Sequence, residues 1–91
     1  MDKYDLLAIL ARVLTNSKKK ISKCYVGENW IDVRLLFSES SITIFDDSIV
    51  VDNVILSCKE EFLDENIKDP GIKKLRAPII TFLEEIKKQY N

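Results

Sequence analysis

The sequence predicts an α+β domain: an N-terminal helix, a three- to four-stranded antiparallel β-meander, then a short helix and a Pro-kinked C-terminal helix, the helices packed on one face of the sheet. Three observations predict it. Apolar residues recur with a helical period at both ends of the chain and with a period of two in the middle. The connections between the middle segments are too short for parallel crossovers. Only two Gly and two Pro occur in 91 residues, which leaves most of the chain free to be regular structure.

The first element is a helix from about Asp2 to Thr15. Leu6, Leu7, Leu10, Val13 and Leu14 share one face of a 3.6-residue period, and Lys3, Asp5 and Arg12 lie on the other. Asp2 is the expected N-cap, since its carboxylate can accept from the free amides of the first turn. Thr15, Asn16 and Ser17 end the pattern, and Lys18, Lys19 and Lys20 follow as a solvated run.

From Ile21 the period becomes two. Ser22, Cys24 and Val26 alternate with Ile21, Lys23 and Tyr25, a first strand. Gly27, Glu28 and Asn29 form a turn in which Gly or Asn can take positive φ. Ile31, Val33, Leu35 and Phe37 then point to one face, with Asp32 and Arg34 on the other. Ser38 to Ser40 turn the chain into a third strand, Ser41 to Phe45. Asp46 and Asp47 turn it again, and Ser48 to Leu56 is a β-branched fourth strand. Asp52 and Asn53 interrupt its alternation with either a bulge or a second tight turn.

Ser57, Cys58, Lys59 and Glu60 have the form of a capping box, opening a short helix to about Asn66 with Phe62 and Leu63 inward. Asp69 and Pro70 signal a further helix start. Ile72, Leu75, Ile79, Phe82, Leu83, Ile86 and Tyr90 mark one face of that last helix. Pro78, inside it, is expected to kink it near Lys74 or to split it.

Length and composition bound the function. Residues 1–91 suit a single domain, 46% hydrophobic and 32% charged, with no internal repeat and no bilayer-length apolar run. Met1 to Asp5 carry acids where a secretory signal would carry bases, so the expected location is cytoplasmic. In that compartment Cys24 and Cys58 are expected to be reduced, buried or half-buried thiols, with a disulfide between them the alternative that spacing alone leaves open.

Histidine is absent. That removes the commonest general base near neutral pH, the commonest metal ligand, and every Ser–His or Cys–His nucleophile pair. Cys58, at a helix start, is the one candidate nucleophile. The adjacent carboxylates, such as Glu60 with Glu61 or Glu84 with Glu85, do not face one another on a helix. Two isolated glycines cannot build a phosphate loop. The expectation is therefore a non-enzyme with no cofactor and no metal.

Charge layout says more. Residues 1–27 hold six bases and two acids, a balance of +4; residues 28–69 hold eleven acids and three bases, −8; residues 70–91 hold five bases and two acids, +3. The near-neutral total hides an acidic middle, and clustered acids steer basic partners. Trp30 opens the second strand out of phase with its core-facing residues, so it faces away from the core, where a large aromatic can anchor an interface. The candidate partner-binding residues are Glu28, Trp30, Asp32, Glu39, Asp46, Asp47 and Asp52.

These features point to a small protein-binding inhibitor or neutraliser that presents an acidic surface to a basic protein, such as a nuclease or another nucleic-acid-binding protein. Toxin-immunity proteins, antitoxins and phage-encoded defence inhibitors, including anti-CRISPR proteins, share this size and charge, by analogy only. Two alternatives stand behind it. Direct nucleic-acid binding would use Lys18, Lys19, Lys20 and Lys23, joined by Lys73, Lys74 and Arg76. A pI near 5.4 and the lack of interleaved aromatics argue against it. Homo-oligomeric assembly would use the fourth strand, where Ile49 to Val51 would be a liability on an exposed edge, or the kinked C-terminal helix. No membrane partner is expected.

Overall fold

The structure, a computed structural model, describes residues 2–36, 40–45, 48–52, 54–56 and 70–90. The element order is α1 (Lys3–Asn16), β1 (Ile21–Val26), β2 (Trp30–Leu35), β3 (Ser41–Phe45), β4 (Ile49–Val51), β5 (Val54–Leu56) and α2 (Pro70–Tyr90). The strands form one antiparallel sheet in the order β1-β2-β3-β4-β5, so the fold is an α+β meander with a helix at each end of the chain. The short helix expected over 57–66 lies outside the described residues.

Asp2 caps α1 as its chemistry demands, accepting from the Tyr4 amide at 3.2 Å. At the other end, the Lys19 amide donates to the Leu14 carbonyl at 2.8 Å and the Lys18 amide to the Thr15 carbonyl at 3.0 Å. This is the Schellman pattern, and it puts Lys18 in the left-handed region at φ 61°.

The fourth predicted strand is a hairpin. Val51 pairs with Val54 across a two-residue connection, and Asp52 has φ 55°, so the interruption is a tight turn and the sheet counts five strands. The Asp52 carboxylate accepts from the Ser41 amide at 3.1 Å, which ties that turn to the start of β3. β4 is hydrogen-bonded on both sides, and Ile49 and Val51 are buried. Ile49 to Val51 therefore do not form an exposed edge, against the expectation; β1 and β5 are the edge strands.

The core lies between the helices and one sheet face. Ile9, Leu10, Val13 and Leu14 of α1 and Ile72, Leu75, Ile79 and Phe82 of α2 pack with Ile31, Val33 and Leu35 of β2, Ile42 and Ile44 of β3, and Ile49 and Val51 of β4. Leu6, Leu7, Leu83 and Ile86 border this core, half-buried. A bulge between Ile21 and Lys23 shifts the phase of β1, so Ile21 shares the core side with Cys24 and Val26, against the simple alternation of the sequence. α2 runs unbroken through Pro78, which does not split it. The Pro78 ring nitrogen has no hydrogen to donate to the Lys74 carbonyl, a bond the helix forgoes at that turn.

Candidate functional site

With α1 and α2 on one side, no described element covers the other face of the sheet. β2 sends Trp30, Asp32 and Arg34 to it, β3 sends Ser41, Thr43 and Phe45, and β1 sends Tyr25. Together they line a shallow concavity of about 390 Å³. The register decides this membership: Trp30 pairs with Phe45, Asp32 with Thr43 and with Tyr25.

Polar chemistry in the middle of the face is internally satisfied. Asp32 accepts from the Thr43 hydroxyl at 2.7 Å and from Arg34 Nε at 3.1 Å. Arg34 in turn sits over the Tyr25 ring, 5.4 Å from its centroid. Asp32 is only 7% exposed, so it is a covered, neutralised carboxylate and not part of a solvent-facing acidic patch. The reason is local: period-two neighbours on its own strand and both flanking strands supply a cation, a hydroxyl and a ring to cover it.

The rim is aromatic. Trp30 is 36% exposed, Phe45 38% and Tyr25 42%. Trp30 is held from below: a Cβ on Gly27 would collide with the indole at Cε2 and Nε1, so the ring lies directly over the glycine. Neither Gly27 nor Asn29 takes the positive φ that this turn allowed for; among the described residues only Lys18 and Asp52 do. The Gly27 backbone is itself fixed. Its amide donates to the Trp30 carbonyl at 2.9 Å, and its carbonyl accepts from Lys3 Nζ at 2.6 Å.

The seven candidate residues separate by position. Trp30 and Asp32 share the open face, and Glu28 is exposed in the turn beside Trp30. Asp52 is half-buried and engaged with Ser41 at the far end of the sheet. Glu39, Asp46 and Asp47 lie outside the described residues. Phe45 and Ser48, which flank Asp46 and Asp47, are joined by a 2.9 Å backbone bond at the Trp30 end of the sheet. Sequence reasoning missed Tyr25, Phe45, Arg34 and Thr43. Their period-two phase relative to Trp30 was the signal that could have found them.

Cys24 is a free, exposed thiol on the helix side of β1, not the buried packing residue expected. Partial desolvation on the sheet, and then the charge of Asp32, push its thiol upward, which disfavours the nucleophilic thiolate. Cys58 lies outside the described residues. Among the described residues no cluster of ligating side chains could hold a metal ion, and no helix is long and apolar enough to cross a membrane. No family model, curated protein or solved structure matches the chain.

Proposed function

We propose that the protein is a cytoplasmic binding module, an inhibitor or neutraliser without catalytic activity, that docks a basic protein on the Trp30 end of its open sheet face. One observation carries this reading: Trp30 is seated over Gly27 with Phe45 and Tyr25 beside it, exposed on the face the helices leave uncovered. Rigid aromatic side chains bury a large area at low entropic cost, which is why they dominate interface energetics. Glu28 adjoins the indole in the turn, and Asp46 and Asp47 follow Phe45 in the chain, so acids cluster near the aromatic rim in sequence terms. They supply the electrostatic bias toward a cationic partner, for example the substrate cleft of a nuclease.

The test is a low-salt affinity capture from the native cell, run in parallel with wild type, Trp30→Ala, and a Glu28→Gln/Asp46→Asn/Asp47→Asn variant. A basic protein retained by wild type, lost with Trp30→Ala, and released faster by salt or by charge neutralisation is the expected result. Partners that are acidic, or whose capture is indifferent to Trp30, would overturn the reading.

A further inference from the structure

The opposite end of the molecule carries a second surface, independent of the aromatic one. Lys18, Lys19 and Lys20, between α1 and β1, meet Lys74 of α2 around a groove of about 280 Å³, with Leu36 and Ser40 on its wall. The three sequence-adjacent lysines alone read as a solvated run. The fold adds a fourth ammonium from 54 residues away, Lys74 minus Lys20, and of the basic residues on α2 only Lys74 lines the groove. Among the described residues no carboxylate lines it and no ion pair involves any of the four lysines.

One local rule is broken at this groove. Lys18 occupies the left-handed position of a Schellman motif, φ 61°, where glycine has no Cβ to strain. A departure from local preference marks a site where something other than stability holds the residue. Leu36, 42% exposed, adds an apolar wall beside the charges.

We infer that this groove binds consecutive phosphates of a nucleic-acid backbone, without sequence readout. Lysine ammoniums act as point charges that neutralise phosphates, without the planar fork by which arginine fits an anion bidentately. Among the described residues the groove has no aromatic side chain on which a base could stack, which favours contacts to the backbone. Four phosphate contacts on duplex DNA give a log-affinity against log-salt slope of about −3.6. Between 50 and 200 mM salt that slope is a loss of ~150-fold.

The experiment is fluorescence anisotropy with a labelled 20-base-pair duplex, titrated across salt, with inorganic polyphosphate as a second probe. Wild type should bind at low salt with the slope above. Lys18→Gly should raise the urea midpoint, because the strain is relieved, yet weaken binding and flatten the slope by about 0.9. Lys18→Gly/Lys20→Gln/Lys74→Gln should bring the slope near −0.9. Trp30→Ala should leave duplex binding unchanged, which separates this inference from the protein-docking one. No duplex binding at 50 mM salt, binding of polyphosphate alone, or a triple variant that binds like wild type would each overturn it.

Discussion

Gly27→Ala is the sharpest perturbation of the aromatic rim. The new Cβ would enter space the Trp30 indole occupies, and the backbone beneath it is pinned by Lys3 and by the Trp30 carbonyl, so the indole must give way. Trp30 is 36% exposed, leaving the remaining ~64% covered. For a side chain that buries up to roughly 250 Å², this is ~160 Å². At about 25 cal/mol per Å², complete expulsion would cost ~4 kcal/mol. Alanine returns ~0.4–1 kcal/mol by restricting the unfolded chain, since Gly27 does not use a left-handed φ. Partial displacement therefore gives a net loss of about 1–3 kcal/mol in urea unfolding. Trp30 is the sole tryptophan, so intrinsic fluorescence reports on this ring alone. The emission should shift to the red and acrylamide quenching should increase. In a Trp30→Ala background, followed by circular dichroism, the same Gly27→Ala change should turn neutral or stabilising, because the clashing ring is gone. Equal destabilisation in both backgrounds, or an unmoved emission maximum, would refute the packing argument.

Asp32→Ala leaves the Thr43 hydroxyl and Arg34 Nε without their acceptor and should cost about 1–3 kcal/mol in urea unfolding. Asp32→Asn, which keeps an acceptor for Thr43, should cost less; identical losses would mean that shape rather than hydrogen bonding sets the effect. Asp52→Asn should be near neutral, because asparagine tolerates the left-handed turn and retains an acceptor for Ser41, whereas Asp52→Ala should lose about 1–2 kcal/mol. The Cys24 thiol is pushed up, so the folded chain holds its proton to higher pH than the unfolded chain does. Its contribution to stability is intact below the ordinary thiol range and is lost as pH rises through that range to the folded value. Alkylation of Cys24, mapped by peptide mass spectrometry, should lag a model thiol at the same pH and quicken in Asp32→Asn.

Periodicity made the architecture legible where neighbours in sequence are also neighbours in packing. Leu10, Val13 and Leu14 on α1, and Ile72, Leu75, Ile79 and Phe82 on α2, are buried along the faces their spacing marks. The outward phase of Trp30 follows from the same counting. It failed at Ile21, because a bulge adds one unpaired residue and resets the alternation. It was silent at Gly27, whose reason for being glycine is an indole three residues on, not its own backbone angle. Asp32 read as a surface acid because polar residues on an open face usually are; its burial depends on Tyr25 and Thr43, each on a different strand. Lys74 joins Lys18 to Lys20 only through tertiary packing, which no spacing rule contains.

The meander itself explains why the two surfaces stand apart. In an up-and-down sheet, alternate connections emerge at the same end. The β1–β2 turn and the segment between Phe45 and Ser48 therefore share one end with Trp30, while the link from α1 to β1 shares the other with Leu36, Ser40 and Asp52. Lys20 is fixed to that second end by its carbonyl, which accepts from the Leu36 amide at 2.8 Å. Glu28 and the Lys18–Lys20 run, only eight residues apart at their nearest, are thus carried by β1 to opposite poles. A six-residue strand rising ~3.3 Å per residue separates them by roughly 20 Å, about two Debye lengths at physiological salt. At that distance Glu28 barely attenuates the lysine groove. A net charge of −1 is then no bar to phosphate binding at one pole while a cationic protein docks at the other.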